Sequence, residues 1–146
     1  IGGVIARKAT LAGAAGGCQA EIGAASSMAA GAAVYLMGGN GEAISHGAAL
    51  AMKGLLGLVC DPVAGLVEVP CIKRNVIGAV NALTSADMVL AGIRSRIPAD
   101  EVFDAMRQVG RALPEELRET ARGGLAVTPT GKNIREMLEE GSPDGY

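Results

Sequence analysis

The architecture starts from one run, Gln19-Ala20-Glu21-Ile22-Gly23-Ala24-Ala25-Ser26-Ser27-Met28-Ala29-Ala30-Gly31-Ala32-Ala33-Val34-Tyr35-Leu36-Met37. It contains no Pro, is rich in Ala, and breaks at Gly38-Gly39-Asn40-Gly41, a cluster of turn formers. The pattern predicts a long helix over 19–37. Cys18 then stands at the N-cap, with Glu21 at N3, where its carboxylate can reach back to the cap amide. No charged residue lies between Glu21 and Glu42, a length that could span a bilayer. Ala, Gly and Ser nevertheless dominate it, and on insertion scales they offset the few large side chains: Ile22, Met28, Val34, Tyr35, Leu36 and Met37. The segment reads as a buried helix of a soluble protein. A membrane or assembly module built on 22–41 is the competing reading.

Working outward, a second helix fits 42–58 and ends before Cys60-Asp61-Pro62, because Pro cannot continue it. Residues 60–71 read as a loop bounded by Pro62 and Pro70. A third helix is expected from Cys71 to about residue 93, with Val76, Val80 and Leu83 at helical spacing, and likewise Ala79, Ala82 and Ala86. Pro98 starts an amphipathic helix with Asp100 and Glu101 in its first turn and Val102, Met106, Val109 and Leu113 on one face. Pro114-Glu115-Glu116 opens a short helix closed by Gly123-Gly124. Thr128-Pro129-Thr130-Gly131-Lys132 reads as a turn, and 133–140 as a last short helix. There is no strand alternation and no internal repeat. The expected fold is all-α, a compact Gly/Ala-rich helical domain spanning 1–146.

Composition narrows the function. A length of 146 residues suits one domain with a real core. Hydrophobic residues make up 49% but aromatics only 2%, so the core must be built from Ala, Val, Leu, Ile and Met. Twenty-two glycines are roughly double the usual share of about 7%, which suggests helices whose backbones approach closely. The net charge of −2 and the lack of a basic stripe argue against nucleic acid. Three cysteines are an odd number in a chain with no signal-peptide pattern, so a disulfide framework is not expected, and the compartment reads as reducing and cytoplasmic. The opening Ile1-Gly2-Gly3-Val4-Ile5-Ala6 lacks an initiating Met and begins inside an apolar stretch, as expected for part of a longer protein.

The three cysteines, Cys18, Cys60 and Cys71, each fall at or just before an expected helix start, where free amides and the helix dipole favour a thiolate or a thiolate-bound cluster. Their spacing is not the tight Cys-x-x-Cys of a zinc ribbon or ferredoxin. From the residues alone three readings stay open: small buried core residues, a metal or cluster site, and a nucleophilic cysteine.

Their surroundings carry a resemblance. Gly17-Cys18-Gln19-Ala20-Glu21-Ile22-Gly23 and the run Cys60-Asp61-Pro62-Val63-Ala64-Gly65-Leu66-Val67-Glu68-Val69-Pro70-Cys71-Ile72-Lys73-Arg74-Asn75 closely resemble the α-domain of iron–sulfur-dependent L-serine dehydratases. Gly123-Gly124-Leu125-Ala126-Val127 and Thr128-Pro129-Thr130-Gly131-Lys132 look like that family's C-terminal segment. The resemblance implies a [4Fe–4S] cluster held by Cys18, Cys60 and Cys71, with the fourth iron open to L-serine. Hydroxide is a poor leaving group, and a Lewis-acidic iron on the substrate hydroxyl stabilises the developing charge. A base removes the α-proton, the C–O bond breaks, and the enamine yields pyruvate and ammonia. A fourth cysteine would close the iron that must bind serine.

The resemblance also implies a β-chain or β-domain partner and an oligomer, with the α-proton base unidentified. The family's further N-terminal portion, with its Pro-Thr-Ala-Gly-type loop, is missing here. The Thr-Pro-Thr-Gly-Lys ending looks more like the version with separate chains. The chain is therefore expected to match the C-terminal portion of the α-chain, to carry cluster ligands without a complete active site, and to be inactive alone.

Lys73, Arg74 and Asn75 are candidates to donate to cluster sulfurs or to the substrate carboxylate, Arg74 being suited to a bidentate contact; solvated or ion-paired surface roles compete. Asp61 reads as a cap on the turn after Cys60, and Glu21 and Glu68 as a cap and a surface acid with supporting roles as the alternative. His46, the only histidine, lies mid-helix. Joined to the cysteines it would complete a Cys₃His zinc site, which makes a non-enzymatic domain with structural zinc the rival function.

Overall fold

The computed structural model describes residues 1–141, and within them the chain is all-α. Two short helices open it, α1 (Gly2–Lys8) and α2 (Gly13–Gly16). A π-helical turn, Gln19–Gly23, runs straight into α3 (Ala24–Leu36), followed by α4 (Gly41–Gly54). After a loop containing a 3₁₀ turn (Val63–Gly65) come α5 (Cys71–Leu90) and α6 (Ala99–Ala112). Two further 3₁₀ turns, Glu115–Leu117 and Gly124–Val127, lead to α7 (Pro129–Glu139). The one extended pairing among the described residues is an isolated parallel bridge between Cys60 and Arg118.

Most boundaries follow from local chemistry. Asn40 caps α4 by accepting from the Ala43 amide at 2.9 Å. The helix ends at Gly54 rather than at 58, because the chain turns at 55–57 and passes through a left-handed Gly57. Cys18 is not an N-cap: its backbone is already helical, no side-chain cap bond forms, and the turn is made one residue earlier by Gly17 at φ 74. The short helix expected after Pro114 shrinks to the 3₁₀ turn Glu115–Leu117, since the backbone then turns left-handed at Glu119 (φ 65) and Ala121 (φ 54). The turn expected at 128–132 is instead the start of α7. Thr128 accepts from the Gly131 amide at 3.1 Å with Pro129 behind it, a standard helix entry.

Helix α3 packs on both α4 and α5 at close range. Serine hydroxyls stitch the contacts: Ser27 donates to the Ala48 carbonyl at 2.8 Å and Ser26 to the Gly78 carbonyl at 2.7 Å, while Asn81 donates to Ser26 Oγ and to the Ala51 carbonyl. Gly78 permits this approach, because a Cβ there would stand 2.6 Å from Ile22 Cγ2. The larger core side chains, Ile5, Met52, Val102, Phe103 and Met106, gather where α1, α4 and α6 meet.

This packing chooses between the two helically spaced rows of α5. On α5 the buried face carries Gly78, Ala82, Ser85, Ala86 and Val89, whereas Val76, Val80 and Leu83 point outward with 59–63% exposure. Small residues face inward because only they let α3 and α5 come this close; the large apolar row is left on the surface. No described helix is long and apolar enough to cross a membrane, and 22–41 is spent on α3 and its turn into α4.

Gln19 is fully buried and joins three segments: Nε2 donates to the Met106 carbonyl at 3.0 Å and Oε1 accepts from the Gly57 amide at 3.0 Å. Replacing Gln19→Met keeps the volume but leaves the Gly57 amide without a partner. A loss of about 2 kcal/mol is expected, read as a lower urea midpoint with an unchanged slope.

Candidate metal centre

Three separate segments deliver the cysteines to one point. Gly17 turns the chain so that Cys18 enters the π-helical turn, and a Cβ at Gly17 would stand 2.8 Å from the Leu58 carbonyl oxygen. The Gln19 amide donates to that carbonyl at 3.0 Å, which ties the Cys18 turn to the strand of chain entering Cys60. Cys60 is gripped on both sides: its amide donates to the Leu117 carbonyl at 2.9 Å and its carbonyl accepts from the Glu119 amide at 2.8 Å. Cys71 is the first residue of α5, with Pro70 before it. The three sulfur atoms lie within 4.8 Å of one another, all are buried, and none is in a disulfide.

The thiols share protons. A hydrogen bond from Cys60, followed by one from Cys71 and by the Arg74 charge, lowers Cys18 to about 7 against the opposing effect of burial. Cys60 is pushed up, first because its own proton is held in the bond to Cys18 and then by burial. Burial raises Cys71 to about 11, with the Cys18 charge adding to it. The trio therefore releases one proton readily and holds the other two.

A cavity of about 430 Å³ opens against this cluster, lined among others by Cys60, Cys71, Glu21, Asn75 and Glu119. Cys18 lies behind, fully enclosed. Three soft sulfur donors with space on one side suit zinc or an iron–sulfur centre that keeps one position free. Both fit the donor set. At 4.8 Å or less the sulfurs can share a single ion as they stand. An iron–sulfur centre would be held by the same three sulfurs.

The other candidates separate. Lys73 donates to the Glu68 carbonyl at 2.6 Å and is exposed, away from the sulfurs. Asn75 lines the cavity and donates to the Cys71 carbonyl at 3.0 Å. Arg74 does not line the cavity; it is bonded to Asp61 and to the Val59 carbonyl, with its charge against Cys18. Asp61 makes no cap on the turn after Cys60. It is buried, accepts from Arg74 at 2.6 Å through Oδ1, and accepts from the Leu125 amide at 2.8 Å through Oδ2. Glu21 reaches the cavity, whereas Glu68 remains a surface acid.

His46 is far from joining the cysteines. It lies in a different pocket with Asn40 and Arg94, its Nε2 3.5 Å from Glu42, so the Cys₃His zinc site does not form. Glu119 is the site residue that the sequence concealed. Its place beside Cys60 depends on a left-handed backbone in a stretch whose residue types signal nothing unusual.

Residues 1–126 match the family described as serine dehydratase alpha chain. A probable L-serine dehydratase alpha chain of Latilactobacillus sakei is 66% identical over 138 residues, covering 94% of this chain and 66% of that protein. One from Bacillus subtilis is 57% identical over 142 residues, covering 97% and 47%. An L-serine dehydratase of Streptomyces coelicolor is 45% identical over 128 residues, covering 87% of this chain but 28% of its own length. The chain thus spans two thirds or less of these relatives.

In the metal-free protein the trio is neutral below pH 7 and carries one negative charge above it. Thiolate absorbance is expected to rise by one equivalent as pH passes about 7, with no second step before pH 10. In Cys18→Ser the first step moves to higher pH, because burial raises both remaining thiols. Metal uptake, which expels thiol protons, should strengthen with rising pH.

Proposed function

Since the chain belongs to the serine dehydratase alpha chain family, we propose that it supplies the cluster-binding part of an L-serine dehydratase, a cytoplasmic lyase that converts L-serine to pyruvate and ammonia. Cys18, Cys60 and Cys71 hold a [4Fe–4S] cluster, and residues 1–146 act as one helical domain of the larger enzyme. The observation that carries this reading is the meeting of three buried thiols from distant segments beside a cavity of about 430 Å³. When bound, such a cluster supplies a Lewis-acidic iron that stabilises a departing hydroxide.

The chain's own residues do the rest of what this half can do. Cys60 and Cys71 face the cavity and Cys18 backs them, so a centre held by the three would border a space large enough for a small amino acid. Asn75 uses its amide nitrogen on the Cys71 carbonyl, which leaves its side-chain oxygen free to accept from a substrate ammonium. Glu119 lines the same cavity with its charge acting on Cys60, suited to the same ammonium, whereas the Glu21 carboxylate lies beside Gly13. The lining includes no Lys or Arg, so a cation for the serine carboxylate is assigned to a part of the enzyme outside this chain.

The β-chain is assigned a docking face as well. Ile72 sits at the cavity rim with 52% exposure, and Val76, Ile77, Val80 and Leu83 continue the apolar row along α5. A partner lying on this row would close the cavity, and the relatives are longer than this chain. Co-expressed with its β-chain, the Val80→Glu, Leu83→Glu variant should lose association at least about tenfold while keeping its thermal midpoint. Unchanged association would remove the row from the interface; α-chain dimers that dissociate in the variant would assign it to a second copy instead.

Anaerobic reconstitution with iron and sulfide tests the main reading. The expected result is uptake of equal iron and sulfide, a signal perturbed by L-serine once the β-chain is present, and no uptake in Cys60→Ala despite a native helical spectrum. Stoichiometric zinc with no iron–sulfur uptake would replace the enzyme reading with a structural site.

A further inference from the structure

Arg74 is the most constrained charge near the thiols. Its side chain is 17% exposed and that of its partner Asp61 4%. One guanidinium nitrogen, Nη1, donates to Asp61 Oδ1 at 2.6 Å and to the Val59 carbonyl at 2.9 Å, acceptors on either side of Cys60 in sequence. Asp61 cannot swing away, because its Oδ2 is held by the Leu125 amide at 2.8 Å. With that nitrogen occupied, the planar fork is fixed beside the Cys60 loop, on the first turn of the helix that Cys71 begins, with its charge against Cys18. Neither Arg74 nor Cys18 lines the cavity, so this charge lies on the far side of the sulfurs from the space for substrate.

Three thiolates on a divalent metal or a doubly charged cluster core leave net negative charge in an enclosed site. Such charge is costly unless a neighbour compensates it. Arg is suited to this because it stays protonated and holds its geometry. Lys73, one residue away, is committed to the Glu68 carbonyl and faces solvent.

We infer that Arg74 is a positioning residue of the thiol centre: locked by Val59 and Asp61 on either side of Cys60, it fixes the Cys60 loop against the start of α5 and holds a positive charge behind the metal-bound thiolates, and it does not contact substrate. The inference rests on the reading of Cys18, Cys60 and Cys71 as ligands, but not on which metal they hold.

Cobalt(II) therefore serves as the probe, titrated anaerobically into the full chain and followed by its thiolate-to-metal charge-transfer absorption. Removing a supporting hydrogen bond of this kind typically weakens metal binding by about 10–100-fold. Arg74→Gln is expected to raise the cobalt Kd at least about tenfold and to move the charge-transfer band to lower energy, since an uncompensated thiolate donates more readily. Arg74→Lys, which keeps charge but loses the fork, should fall between. Lys73→Gln should stay within about twofold of the unmodified chain, the scatter expected of a surface change.

A purely structural role predicts a weaker Kd from partial unfolding with the band position unmoved, and that result would overturn the inference. So would a Kd for Arg74→Gln within twofold of the unmodified chain, or no cobalt binding by the unmodified chain. If Arg74→Gln does not fold, the band and Kd of Arg74→Lys decide. Failure to assemble iron and sulfide would sink the cluster reading alone, because cobalt needs only the three thiols.

Discussion

One buried carboxylate holds the functional end of this molecule together. Asp61 follows Cys60 directly, and its two oxygens are committed to different parts of the chain: Oδ1 to Arg74 on the first turn of α5, Oδ2 to the Leu125 amide ahead of α7. Gly124 lies so close that a Cβ there would meet the carboxylate at 2.3 Å. A charge with 3% exposure is tolerable only when paired and hydrogen-bonded, and both conditions are met here. The Cys60 loop, the start of α5 that bears Cys71, and the C-terminal arm are thereby fixed as one unit. The Cys18 turn joins it through the Gln19 amide on the Leu58 carbonyl.

The rest of the fold serves that unit by bringing backbones close. Ala30, Ala51 and Ala82 fill the space where α3, α4 and α5 meet, and serine and asparagine side chains bond to main-chain carbonyls across those contacts. Large side chains cannot enter such narrow gaps. They collect instead around Met52, Phe103 and Met106, or stay outside on α5. An aromatic-poor sequence is the consequence, and so is an outward apolar row that begins at the rim of the cavity.

The electrostatics of the cluster follow from the same enclosure. Burial alone raises every thiol, but three thiols side by side can share protons, so one is released while two are retained. Binding a metal then requires displacing protons from the cluster, and the fixed Arg74 charge favours the state in which they have left. Glu119 stands on the opposite, open side. The site is thus polarised, with a cation behind the sulfurs and an anion where an amino acid's ammonium would enter.

By itself the sequence determined that the chain is helical and roughly where α3, α4, α5 and α6 lie, and it singled out three cysteines. These are local properties: Gly and Pro punctuation, caps such as Asn40, and the residues flanking Cys60 and Cys71. Only the tertiary structure decided which face of α5 is buried: Val76, Val80 and Leu83 and likewise Ala79, Ala82 and Ala86 keep helical spacing, but the buried face runs through Gly78, Ala82 and Ala86 and leaves Ala79 exposed. It also removed His46 from the cysteines, turned Asp61 from a local cap into a tie to a residue 64 positions away, and brought Glu119 to Cys60 through a left-handed backbone. Those outcomes depend on contacts between residues far apart in the chain, and such contacts leave no period or motif for a sequence to display.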